Sequence, residues 1–115
     1  MTQFISSNVT VMISNMDKSV AFYTEILGLK LKNRYGEHWA EVEGPGITIG
    51  LHPSKKINTG DNLSIAFSVK NLDKAISELE QKGVKFNIYK DNKVNLAFFT
   101  DPDGNTLYLA PAHWQ

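Results

Sequence analysis

Three histidines, at positions 38, 52 and 113, are the residues best suited to move a proton near neutral pH or to bind a metal. His52 stands in the alternating stretch "ITIGLHP" (47–53). There it could hold a ligand anion or act as a general base; the competing reading is a hydrogen-bonded histidine at a strand end beside Pro53. His38 has Glu37 and Glu41 close by. A hairpin that set His38 across from His52 would gather these side chains into a metal site, and a slip of one residue would separate them onto opposite faces. His113 reads as a solvated tail residue. Arg34, the only arginine, could grip a carboxylate or phosphate through two parallel hydrogen bonds, or stand solvated on a strand. The chain has no cysteine, which excludes thiolate nucleophiles, thiolate metal sites and disulfides. A serine nucleophile would need a positioned base and an orienting group, and nothing in the sequence places His52 in contact with Ser64.

The most acidic stretch is "TDPDGNTLYLAP" (100–111). It does not read as a calcium loop: Gly104 follows Asp101 and Asp103 too soon, and no glutamate closes the loop. It reads as a tight hairpin turn, with proline fixing its own φ, glycine accepting positive φ and aspartate capping backbone N–H groups.

Lysine plus arginine equals aspartate plus glutamate, 12 against 12, so no basic surface points to nucleic acid or to an acidic membrane. No run of apolar residues is long enough to span a bilayer, and "MTQFISSNV" lacks the basic, apolar and small-residue order of a signal peptide. A cytoplasmic location is therefore expected.

The elements that must position these residues form a repeat. Asn15, Asp17 and Lys18 recur as Asn71, Asp73 and Lys74. Met16, Val20, Tyr23 and Leu27 fall at helical spacing, as do Leu72, Ile76 and Leu79. Asn15 and Asn71 are suited to cap the first-turn N–H groups, and Gly28 and Gly83 to end the helices. Strands are predicted over 8–13, 29–35, 38–43 and 47–53 around the first helix, and over 63–69, 84–90, 94–100 and 106–111 around the second. Each half thus reads strand, helix, strand, strand, strand. Module one is expected over 4–53 and module two over 63–112, joined by the linker "SKKINTGDN" (54–62) in one domain of residues 1–115.

Alternation assigns the faces. Val9, Val11 and Ile13 are predicted to lie under the first helix, and Ile65, Phe67 and Val69 under the second. The opposite face carries Asn8, Thr10, Met12, Thr48, Gly50 and His52 in module one, and Ser64, Ala66, Ser68, Thr106, Tyr108 and Ala110 in module two. Trp39, Tyr35, Phe98 and Phe99 are candidate aromatic walls, and alternation sends Phe98 and Phe99 to opposite sides. A concave sheet lined by small and polar residues is a candidate ligand cleft.

"MDKSVAFYTEILGLKL" after the first strand and "FTDPDGNTLYL" near the end, together with the repeat, resemble the vicinal oxygen chelate superfamily. That family includes glyoxalase I, bleomycin- and fosfomycin-resistance proteins and extradiol dioxygenases. The resemblance implies an α+β fold of two βαβββ modules, with sheets curled around a central cleft. It also implies a homodimer, since glyoxalase-like proteins are often dimers. Family metalloenzymes hold a divalent ion with histidine and glutamate from the first and last strands of each module. The matching positions here are Asn8, Ser64, Gly50 and Tyr108. None is histidine, glutamate or aspartate, and no charge remains to hold an ion. The expectation is metal-free binding of a small organic ligand, with no cofactor, by Asn8, Thr10, Trp39, Gly50, His52, Ser64 and Tyr108. The zero net charge argues against bleomycin itself, since a cationic drug would favour a markedly acidic cleft. The alternative is a lyase or dioxygenase-type enzyme that uses a displaced metal site or His52.

Overall fold

The computed structural model describes residues 2–57 and 63–112. The chain divides into two compact units, Met1–Asn58 and Thr59–Gln115. The first contains β1 (Val9–Ile13), α1 (Met16–Ala21), β2 (Lys30–Tyr35), β3 (Trp39–Gly44) and β4 (Ile47–Pro53). The second contains β5 (Ser64–Val69), α2 (Leu72–Gln81), β6 (Asn87–Lys90), β7 (Asn95–Thr100) and β8 (Thr106–Pro111). Their sheets run β1-β4-β3-β2 and β5-β8-β7-β6. The β1–β4 and β5–β8 pairs are parallel; the other pairs are antiparallel. The fold is α+β, two βαβββ modules in succession.

The repeat holds in three dimensions. Asn15 Oδ1 accepts from Lys18 N at 3.0 Å, and Asn71 Oδ1 accepts from Lys74 N at 3.0 Å. Each bond satisfies a donor that the first turn leaves open. Thr10 pairs with Gly50 in the first sheet and Ala66 with Tyr108 in the second, so the internal shift of the sequence is also the shift of the register.

In the first unit the core face presents Val11 and Ile13 from β1, Ala40 and Val42 from β3, and Ile49 and Leu51 from β4, all buried. Met16, Phe22 and Tyr23 are buried with them. In the second unit Ile65, Leu72, Val84, Ala97, Phe99, Leu107 and Leu109 are buried, and Phe99 packs edge-on to Phe86 with ring centroids 5.2 Å apart. Burial of this apolar surface is the main favourable term for each unit. Phe67 and Val69 are only half-buried, and Ala110, expected on the open side, is buried.

Two local departures from expectation have physical causes. The first helix does not remain α-helical to Leu27. It widens after Ala21 into a π-turn, Phe22–Ile26, in which Leu27 N donates to Phe22 O. There the Thr24 hydroxyl donates to Val20 O at 2.6 Å, a side-chain bond that competes with the backbone ladder. The strand expected over 84–90 begins only at Asn87. Gly83 adopts φ +94° and Val84 N donates back to Leu79 O, so this residue closes the helix end and buries its side chain instead of entering the sheet. Of the linker expected over 54–62, residues 58–62 lie outside the described residues, as does His113.

Candidate functional site

The strand pleat sends alternate residues to the face away from the helix. In the first sheet that open face carries Thr10 and Met12 from β1, Thr48, Gly50 and His52 from β4, Trp39, Glu41 and Glu43 from β3, and Lys30, Asn33 and Tyr35 from β2.

Its centre is Gly50. A Cβ built there would lie 2.7 Å from Trp39 Cζ2, closer than real Cβ contacts come, and a tight 3.0 Å from Thr10 Oγ1. Gly50 is therefore a glycine whose missing side chain is replaced by an indole. Its φ is ordinary, so space rather than backbone conformation demands glycine here. Trp39 begins β3 and is half-buried. The His52 ring meets it edge to face, with centroids 6.3 Å apart and planes at 70°. Thr10, Trp39, Gly50 and His52 are thus brought together in one aromatic and hydroxyl-bearing patch. His52 itself is exposed.

The remaining site residues fall elsewhere. Asn8 precedes β1 and is exposed; the residue in register with Gly50 is Thr10. Ser64 begins β5 and is exposed. Tyr108 lies on β8 with Ala66 on one side and Phe98 on the other, and its ring stacks at a tilt on Phe98, with centroids 5.0 Å apart and planes at 35°. Phe99 turns into the core, as alternation predicts.

The displaced metal constellation does not assemble. Ala40 pairs with Leu51, which sets Trp39 rather than His38 across from His52. His38 sits in the exposed turn before β3, where its backbone N donates to Tyr35 O. Among the described residues there is no group of three or more metal-ligating side chains. The positions that the resemblance matches to the family's ligands do not fit a divalent ion either: Asn8, Gly50, Ser64 and Tyr108 supply no carboxylate or imidazole, and the space at Gly50 is taken.

Arg34 is committed to structure. Its Nη2 reaches Asp17 Oδ1 at 2.7 Å and Glu37 Oε1 at 3.4 Å, and its Nε donates to Gly36 O at 2.9 Å. The turn "DPDGN" is likewise built by its acids. Asp101 is buried, and its Oδ1 accepts from the backbone N of Asp103 and of Asn105, both at 2.9 Å. Gly104 takes φ +87°.

Glu41, which the sequence offers only as part of the metal constellation, is the cross-strand partner of Gly50, and Asn33 Nδ2 donates to its Oε1 at 2.9 Å. Its parity with Trp39 is the sequence signal that places it on this face. A groove lined by Ser7, Glu43, Gly44, Gly46, Ile47 and Thr48 lies at the other end of the β3–β4 hairpin, away from the indole.

The family model for the glyoxalase/bleomycin resistance protein/dioxygenase superfamily matches residues 6–109. The chain is 31% identical to the glutathione transferase FosA of Serratia marcescens, a match covering 90% of this chain and 77% of that protein. It is 28% identical to the lactoylglutathione lyase of Schizosaccharomyces pombe over 95% of this chain, but spans only 48% of that protein's length. Among solved structures, TnmS3, an antibiotic binding protein from Streptomyces, superposes with a TM-score of 0.71 at 25% identity, covering 95% of this chain and 98% of its own. The chain belongs to the glyoxalase/bleomycin resistance protein/dioxygenase superfamily.

Proposed function

We propose that this protein binds a small organic molecule on the open face of its first sheet, and does so without a metal. The observation that carries the reading is the Trp39 indole over Gly50: a position where family metalloenzymes present a ligand to an ion is given over to an aromatic ring. An indole flanked by the Thr10 hydroxyl and the His52 imidazole suits a flat ligand with a few polar groups, stacked on the ring and oriented by hydrogen bonds. Asn8, Ser64 and Tyr108 are proposed as further contacts. TnmS3, an antibiotic binding protein of the same fold, supports small-molecule binding as a use of it.

A second reading, favoured by the transferase and lyase relatives, is catalysis with His52 as general base. It uses the same patch, because His52 is exposed beside the indole. A single domain of two modules, 4–53 and 63–112, a homodimeric state and a cytoplasmic location belong to the same proposal. Light scattering on the purified protein checks the dimer.

The test is a thermal-shift screen of metabolites and drugs in EDTA, with Trp39→Ala alongside. A ligand present at about 100 times its Kd adds about 2.7 kcal/mol to the folded state. The proposal expects at least one compound to raise the melting temperature in EDTA and to lose that effect in Trp39→Ala. Compounds that act only with added metal, or equally on the variant, contradict it.

A further inference from the structure

We infer that Glu41 is the charged contact of this face and selects ligands that set a cation, such as the ammonium of an arylalkylamine, against the Trp39 indole. The inference rests on the proposed use of the face as a ligand surface. Glu41 lies two residues from Trp39 on β3 and directly across from Gly50, so its side chain leaves the sheet beside the indole. It is half-buried.

Arg34 pairs with Asp17 and Glu37, whereas among the described residues Glu41 takes part in no ion pair. Its neighbour on the face, Glu43, has Lys30 as cross-strand partner; Glu41 has Asn33. Asn33 supplies one neutral donor at 2.9 Å, while its own Oδ1 is buried without a partner. The amide thus fixes the carboxylate in place without neutralising it. A carboxylate accepts about four hydrogen bonds, so lone pairs and a full charge remain for something else to meet.

The neighbouring indole narrows what that is. An aromatic face attracts a cation and stacks on a flat ring, and a carboxylate makes its strongest hydrogen bonds with charged donors. A planar ligand bearing an ammonium or amidinium group satisfies both residues; an aromatic carboxylate satisfies the indole and is repelled by Glu41. The balanced charge of the whole chain does not describe this face. In the second sheet the corresponding partner of Tyr108 is Phe98, so the charge is confined to the first.

The experiment compares two probes of one ring system and opposite charge, 2-naphthylmethylamine and 2-naphthoate. Each is titrated in EDTA into the full chain, followed by the backbone amide shifts of the first sheet. Wild type, Glu41→Gln and Trp39→Ala are compared, and amide dispersion reports that each variant is folded. The expected result is amine binding at least about tenfold tighter than naphthoate in wild type, falling to within about twofold in Glu41→Gln. Trp39→Ala weakens both probes. Equal or tighter naphthoate binding, or an unchanged preference in Glu41→Gln, overturns the role of Glu41 and leaves the ligand face standing. If neither probe moves first-sheet residues, or Trp39→Ala binds both as well as wild type, the ligand face fails and the inference with it.

Discussion

The indole of Trp39 occupies the volume that a side chain at position 50 would need. Its Cζ2 would lie 2.7 Å from a Cβ there, and Thr10 Oγ1 closes the other side at 3.0 Å. The large ring and the missing side chain are complementary, and together they fill the centre of the open face.

This fit predicts a coupled response to mutation. Gly50→Ala should cost about 1–3 kcal/mol, the range of overpacking in a well-filled site. Removing the indole should relieve the clash, so the Trp39→Ala/Gly50→Ala pair should be more stable than the sum of the single variants by about 1 kcal/mol. Urea unfolding of the four proteins measures the cycle. Simple additivity would mean that the indole does not hold this position in solution.

Much of this arrangement was legible in the sequence. The repeat fixes the order of elements because each helix start carries the same cap, Asn15 or Asn71, before the same apolar spacing. Alternation placed Thr10, Gly50 and His52 on one face because the pleat has period two. It did not give the packing across strands. That Trp39 rather than His38 faces His52 depends on the β3–β4 register, which one residue of turn length changes. The π-turn at Phe22–Ile26 arises from a hydroxyl that bonds its own helix, and Val84 leaves the strand pattern to close one; both are short-range competitions that apolar periodicity does not record. Glu41 was hidden for a different reason. Its meaning depends on having Asn33 rather than a lysine as neighbour.

The acidic turn makes a stability prediction. Asp101 is 3% exposed, and besides the two backbone donors its Oδ2 accepts from Asn105 Nδ2 at 2.8 Å. Asp101→Ala leaves these donors unpaired and should cost about 2–3 kcal/mol, the scale of hydrogen bonds to a charged group. Asp101→Asn keeps one acceptor oxygen and should cost less. Urea unfolding measures both, and a negligible effect of Asp101→Ala would show that water replaces the carboxylate freely.

The β6–β7 hairpin should respond to acid through Asp91. Its carboxyl is held below the usual carboxylate range by hydrogen bonds from Lys93 N at 2.8 Å, Val94 N at 2.7 Å and the Tyr89 hydroxyl at 2.9 Å. The Tyr89 phenol is correspondingly pushed up by its hydrogen bond to, and the charge of, Asp91. A depressed folded-state pKa means that the Asp91 contribution is present above the unfolded carboxylate value and is lost as pH falls through the folded one. A raised phenol works at the other extreme: its contribution is present below the unfolded value near 10 and is lost as pH rises through the folded one. NMR titration should show Asp91 ionising below an ordinary aspartate, with the amide shifts of Lys93 and Val94 following it. Asp91→Asn should abolish that shared transition; amide shifts that titrate unchanged in the variant would assign it to another group.

Metal content is the most direct test of metal-free binding. The protein should be produced without a metal-chelating tag, desalted without chelator and measured by inductively coupled plasma mass spectrometry. With Asn8, Gly50, Ser64 and Tyr108 at the positions that the resemblance matches to the family's ligands, and an indole over Gly50, the predicted result is far less than one transition-metal ion per chain. A stoichiometric amount of nickel, zinc, iron or manganese would contradict it.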